Sequence, residues 1–128
     1  MQQEKGRAGA WGKLLLGMAF AGSCALAQAP VDVRIALVIG NAAYRQAPPL
    51  ANPTHDAAAM GATLKTLGFD VLQVNDGSLA QMREAVEAVR GRLHSKKGIG
   101  VLYYAGHGLQ VDFRNFMVPI DANLAKAG

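Results

Sequence analysis

Residues 99–108 read IGVLYYAGHG, an apolar run that ends in a histidine between two glycines. The run lacks polar alternation apart from its tyrosine hydroxyls, which predicts a buried strand. Residues 33–39, VRIALVI, form a nearly continuous aliphatic run that ends at Gly40 and predicts a strand buried on both faces, as in a parallel sheet. Residues 70–74 predict a shorter strand. The chain therefore contains three candidate strands of the kind found in α/β proteins.

Two amphipathic helices are predicted between these strands. The first begins near Thr54 and ends at Gly68, because apolar residues recur along it at spacings of three and four. The second begins after Ser78, which is predicted to form a capping box with Gln81. Its predicted apolar stripe comprises Leu79, Met82, Val86, Val89 and Leu93. The order β-α-β-α-β predicts an α/β fold in which a parallel sheet carries helices on both faces.

The strand order decides which loops meet. In the order 2-1-3, found in flavodoxin-like folds, strands one and three are neighbours. The loop after strand one, residues 41–53, and the loop after residue 105 would then line one crevice at the carboxyl ends of their strands. Residues 110–112 and 115–118 predict a hairpin. No clear fourth strand follows, so we expect the sheet to be incomplete at its C-terminal side.

Residues 1–27 predict a secretory signal peptide. A basic start precedes an uncharged run over residues 14–24, and Ala-Leu-Ala follows at residues 25–27. The run is too short to span a bilayer, so we expect cleavage after residue 27, export to the periplasm or the exterior, and no stable membrane anchor. Lipidation of Cys24 is an alternative, although the residue three before it is small. Residues 28–128 would then form a single domain.

Composition excludes several classes of protein. The 128 residues include 13 basic and 9 acidic side chains, 51% hydrophobic residues and a single Cys. This hydrophobic content argues against disorder, and one cysteine forms neither an internal disulfide nor a thiolate metal cluster. Much of the net charge of +4 lies in the predicted leader, so nothing indicates nucleic-acid binding. No phosphate-binding glycine motif follows strand one, which argues against a nucleotide cofactor.

His107 is the strongest candidate for catalysis. It follows a predicted buried strand, and its flanking glycines leave the imidazole unshielded and the neighbouring amides open. The alternative on this local pattern is a loop histidine without a role. Asp112 and Asp121 are too few for the roughly 6 to 8 oxygen ligands that a hard cation takes, so we expect no metal.

Residues 101–108 resemble the histidine motif of the caspase-like cysteine peptidases, a group that includes caspases, metacaspases and bacterial relatives. Residues 34–41 resemble the family's first strand, residues 52–56 its following loop and helix start, and residues 115–121 the segment after the histidine. These segments match in order and cover nearly all of the predicted mature chain. The resemblance implies a three-layer caspase-like sandwich, of which residues 28–128 form the amino-terminal part.

The resemblance also implies a chemistry, which is hydrolysis of polypeptides by a cysteine thiolate without a cofactor. His107 would take part in proton transfer, and the amide of Gly108 would donate to the oxyanion. Metacaspase-type members prefer Arg or Lys before the cut, and Asp56 matches a family acid that would bind such a side chain. Asp56 also suits the first turn of a helix, where the helix dipole favours a carboxylate, and both interpretations stay open.

The nucleophile that this chemistry needs is not found in the sequence. In caspases the cysteine lies about 50 residues after the histidine, whereas Cys24 precedes His107. We therefore expect the histidine part of a cysteine-type endopeptidase that is inactive alone. The alternative is a non-catalytic caspase-like module that binds proteins through the same crevice. A receiver or other flavodoxin-like domain shares the strand order, but receivers need clustered acids after strand one, where this chain has Gly-Asn-Ala at residues 40–42.

Overall fold

The computed structural model describes residues 33–123, so the predicted signal peptide lies outside the described residues. The elements of this part are β1 Val33–Gly40, α1 Pro53–Thr66, β2 Asp70–Asn75, α2 Leu79–Leu93, β3 Gly98–Ala105, β4 Gly108–Val111 and β5 Arg114–Met117. None of its helices is long and apolar enough to cross a membrane. The predicted strands, helices and hairpin are all present, with ends that differ by one or two residues.

β1, β2 and β3 form a parallel sheet in the order β2-β1-β3, as predicted. β1 is the central strand, and its residues from Ile35 onward are buried. Side chains alternate along a strand, so β1 feeds two separate apolar clusters. One cluster contains Ala36 and Val38 and packs against α1, and the other contains Leu37 and Ile39 and packs against α2. The predicted α/β fold with helices on both faces is confirmed.

Gly40 sets the distance between β1 and the start of α1. A Cβ atom at this position would lie 2.5 Å from the Pro53 carbonyl oxygen and 2.7 Å from the Ala57 Cβ. Both neighbours belong to the first turns of α1, which could not approach the strand if position 40 carried a side chain. This close contact brings the N-terminus of α1 to the carboxyl end of the sheet.

The predicted apolar stripe of α2 is only partly buried. Met82 and Ala85 are buried against the sheet, whereas Leu79 and Val86 are 45% and 42% exposed. α2 packs mainly on β1, and Val86 lines an open groove beside β3. Leu102 of β3 is 53% exposed in the same groove, so β3 is less buried than predicted within residues 33–123.

The N-terminus of α2 is capped as predicted. The Ser78 Oγ accepts a hydrogen bond from the Gln81 N–H, and the Gln81 Oε1 accepts one from the Ser78 N–H. A carboxylate near the end of the described residues also contacts this N-terminus, since Asp121 Oδ1 accepts a hydrogen bond from the Leu79 N–H at 2.9 Å. Asp121 therefore ties the segment after β5 to α2 and does not point to a cation site.

Candidate active site

The loops after β1 and β3 meet at the carboxyl end of the sheet, as the strand order predicts. The Asn41 N–H donates to the Ala105 carbonyl oxygen at 2.9 Å, which extends the β1–β3 pairing into the loops. The Arg45 N–H donates to the Ile120 carbonyl oxygen, also at 2.9 Å. The loop after β1 is therefore fixed both to the end of β3 and to the segment that follows β5.

Asn41 joins three segments beneath this crevice. Its side chain is fully buried, its Oδ1 accepts from the Gly77 N–H at 2.9 Å, and its Nδ2 donates to the Val118 carbonyl oxygen at 3.1 Å. The same Nδ2 lies 3.5 Å from the Met82 sulfur. Sequence analysis did not select this residue, although a polar side chain directly after a buried run is a usable signal.

Asp76 fixes the start of the loop after β1. Its Oδ1 accepts from the N–H groups of Ala42 and Ala43, each at 2.8 Å, and its own N–H donates to the Gly40 carbonyl oxygen. Asp76 adopts a φ of 50°, a left-handed conformation that aspartate tolerates better than most residues. This carboxylate has a structural role, because all of its described contacts are to backbone.

The imidazole of His107 is half-buried and has a defined orientation. Its Nε2 lies 2.8 Å from the Pro48 carbonyl oxygen, and the ring packs against Tyr44 with centroids 4.5 Å apart and planes tilted by 54°. A carbonyl oxygen can only accept a hydrogen bond, so Nε2 must carry the proton. In the neutral ring Nδ1 then has a free lone pair, which is what a general base requires.

The backbone of His107 is held as firmly as its ring. Its N–H donates to the Tyr44 hydroxyl at 2.7 Å, and its carbonyl oxygen accepts from the Tyr104 hydroxyl at 2.8 Å and from the Val118 N–H at 3.1 Å. Burial raises the pKa of Tyr104 well above its usual value. The Tyr104 hydroxyl therefore stays protonated, and able to donate, at neutral pH.

Gly108 presents an amide that the hairpin does not use. The Val118 N–H donates to the His107 carbonyl oxygen, so residues 107 and 118 face each other as a hydrogen-bonded pair. Hydrogen-bonded and non-hydrogen-bonded pairs alternate along an antiparallel ladder, so the next pair, Gly108 and Met117, exchanges no backbone hydrogen bonds. The N–H of Gly108 consequently points away from β5. A Cβ at this position would lie 3.8 Å from the Phe116 carbonyl oxygen, an ordinary contact, so the described residues leave room there for a side chain.

Asp56 lies exposed in the first turn of α1, at the same end of the sheet as His107. Within residues 33–123 its carboxylate forms no hydrogen bond or ion pair, so the side chain is available to a ligand. The helix dipole favours a carboxylate at this position in any case. The structure brings Asp56 to the crevice end and leaves both interpretations of its role open.

The described residues contain no cysteine and no cluster of three His, Cys, Asp or Glu side chains that could hold a metal ion. The prediction that the protein needs no metal stays a prediction. Cys24 lies outside the described residues, and the Ser78 hydroxyl is occupied by the helix cap. Residues 33–123 thus contain the candidate base His107 and the candidate amide donor Gly108, and no cysteine.

Comparison with known proteins gives the same assignment as the histidine motif. Residues 33–127 match the model of the caspase domain family. Over 90 residues the chain is 41% identical to mucosa-associated lymphoid tissue lymphoma translocation protein 1 of Homo sapiens, and 39% identical to the homolog of that protein in Mus musculus. Each match covers 70% of this chain, which spans only 11% of the length of either relative.

Proposed function

Because this chain belongs to the caspase domain family, we propose that it carries the histidine half of a cysteine endopeptidase. The observation that supports the proposal is the orientation of His107. Its Nε2–H is directed at the Pro48 carbonyl oxygen, so Nδ1 is the free base at the open end of the sheet. An imidazole in this state can take the proton of a thiol and later give it to a leaving amine.

The proposed reaction has two stages. The thiolate attacks the peptide carbonyl carbon, and the tetrahedral oxyanion accepts a hydrogen bond from the outward-facing Gly108 N–H. Collapse of this intermediate breaks the C–N bond while protonated His107 transfers its Nδ1 proton to the amine. Water, deprotonated by His107, then attacks the thioester, and the thiol and the carboxylic acid product are released.

In this proposal the cysteine lies outside residues 1–128, because Cys24 precedes the domain and is part of the predicted leader. We expect the 128-residue chain to hydrolyse no peptide. The longer protein translated from the continuous reading frame beyond Gly128 is called the full-length protein below. It should hydrolyse peptides and lose this activity after alkylation with iodoacetamide. A fluorogenic peptide assay of both proteins measures this difference.

Two results would contradict this proposal. Hydrolysis by the 128-residue chain that survives alkylation would show that no thiolate is needed. A longer protein that binds peptides but never cleaves them would favour the second candidate, a non-catalytic binding module. The absence of a cysteine from residues 33–123 is the observation that keeps this candidate open.

We further propose that Asp56 selects substrates with Arg or Lys before the cut. Asp56→Asn in the full-length protein should lower kcat/KM for an Arg peptide by on the order of 10-fold, because a charge-assisted hydrogen bond is lost. The matched peptide with neutral citrulline in place of Arg should change little. Asp70→Asn is the control, because Asp70 begins β2 at the opposite end of the sheet, where it pairs with Arg92. Equal losses for both peptides would contradict the proposal.

A further inference from the structure

Two tyrosine hydroxyls close a ring of hydrogen bonds around the backbone of His107. The His107 N–H donates to the Tyr44 Oη at 2.7 Å, the two hydroxyl oxygens lie 3.1 Å apart, and the Tyr104 Oη lies 2.8 Å from the His107 carbonyl oxygen. The Tyr104 Oη also lies 2.9 Å from the Val118 carbonyl oxygen. Carbonyl oxygens only accept, so the Tyr104 proton is directed at them and Tyr44 must donate to Tyr104.

The ring fixes the peptide group that contains the candidate oxyanion donor. The His107 carbonyl and the Gly108 N–H belong to one trans peptide unit, in which C=O and N–H point in opposite directions. Tyr104 and the Val118 N–H hold that carbonyl toward the protein. The Gly108 N–H is thereby directed outward. Hydrogen bonds to the carbonyl also polarise the same peptide unit, which makes its N–H a better donor.

We propose that Tyr44 and Tyr104 are positioning residues, which orient the His107 imidazole and the Gly108 N–H together through this cycle of hydrogen bonds. Tyr44 contacts the imidazole directly and accepts from the His107 N–H, and Tyr104 sets the peptide plane that follows. This inference rests on the proposed peptidase function, because it assigns the two hydroxyls a purpose in that chemistry. Neither hydroxyl touches the reacting atoms.

Gly106 supports the inference independently. A Cβ atom at this position would lie 2.5 Å from the Tyr44 hydroxyl oxygen and 2.5 Å from the Tyr104 hydroxyl oxygen. Both oxygens are already fixed by hydrogen bonds, so a side chain here would displace at least one hydroxyl and break its hydrogen bonds. The glycine before the histidine is therefore needed to make space for the hydroxyls.

The kinetic test compares hydroxyl deletions in the full-length protein. Tyr104→Phe should lower kcat on the order of 10-fold and leave KM within about twofold, since an oxyanion contact acts mainly in the transition state. Tyr44→Phe and Gly106→Ala should lower kcat in the same way. Tyr103→Phe is the matched control, because Tyr103 packs toward α1 and its hydroxyl has no hydrogen-bond partner among residues 33–123. Equal kcat for Tyr104→Phe and Tyr103→Phe would overturn the proposal.

A second measurement needs no catalysis. In the 128-residue chain, NMR hydrogen exchange of the His107 amide should accelerate on the order of 10-fold in Tyr44→Phe, which removes its acceptor. Tyr103→Phe should leave the rate unchanged, and equal rates in both variants would overturn the proposal without any measurement of activity. Full activity of His107→Ala would refute the peptidase function instead, so the two failures are distinguishable.

Discussion

His107→Ala is expected to lower kcat/KM for peptide hydrolysis on the order of 1,000-fold in the full-length protein, because one imidazole serves both proton transfers. The thiol would lose the base that generates its thiolate, and the amine would lose its acid. Tyr44, Tyr104 and the Gly108 amide would remain, and substrate would still bind. The loss should therefore fall on kcat, with KM changed by only a few fold. Steady-state kinetics with a fluorogenic peptide measure both constants.

His94→Ala provides the matched control for this experiment. His94 caps the C-terminus of α2, at the opposite end of the sheet, and its described contact is a backbone hydrogen bond to Arg90. Hydrolysis should stay within about twofold of the unmodified protein, as for an ordinary surface substitution. A His107→Ala protein that is folded and fully active would remove the imidazole from the mechanism.

Asn41→Ala is expected to lower the free energy of unfolding by about 3 kcal/mol. The substitution leaves the buried Gly77 N–H without its acceptor, which costs about 1–3 kcal/mol. It also removes one of the two hydrogen bonds that the Val118 carbonyl accepts, the other coming from Tyr104, and this loss costs about 1 kcal/mol. It would also remove one of the contacts that hold the segment after β5 to the sheet, because the Asn41 amide joins the two. Urea unfolding followed by circular dichroism measures the change.

Two further variants sharpen this stability experiment. Asn41→Asp keeps the oxygen that accepts from Gly77 but places a second acceptor against the Val118 carbonyl, so it should also be destabilising. Asn75→Ala removes the side chain of an exposed residue and should change the free energy of unfolding by less than about 0.5 kcal/mol. An Asn41→Ala protein as stable as Asn75→Ala would show that the buried amide does not hold the crevice together.

The strands and helices could be predicted because the residues that specify each of them lie close together in the sequence. Each strand is a short apolar run, each helix has its own period and stop signal, and Ser78 with Gln81 specifies a cap within four residues. The prediction failed in part for α2, because the sequence pattern defines an apolar stripe but not how much of it a neighbour covers. Val86 belongs to the stripe and is nevertheless 42% exposed.

For the site, the sequence pattern indicated one accessible residue, His107, but not the residues that orient it. The glycines around His107 indicated an accessible imidazole, but its orientation depends on Pro48, which lies 59 positions away in the sequence. Tyr104 could not be distinguished from its neighbour Tyr103 by composition, since aromatic residues are common in buried strands. Alternation along β3 directs Tyr103 to the α1 side and Tyr104 to the other, and only the fold shows that Tyr44 meets it there.

The pairing of His107 with a cysteine thiolate can be measured by covalent labelling. The full-length protein is treated with a peptidyl acyloxymethyl ketone that ends in Arg, and the modified residue is identified by mass spectrometry. We predict one equivalent of label on a single cysteine beyond Gly128, with a labelling rate at least about 100-fold lower in His107→Ala, where the thiol has lost its base. Labelling at an unchanged rate in His107→Ala, or no labelling of any cysteine, would contradict the assignment of these residues as the histidine half of a peptidase.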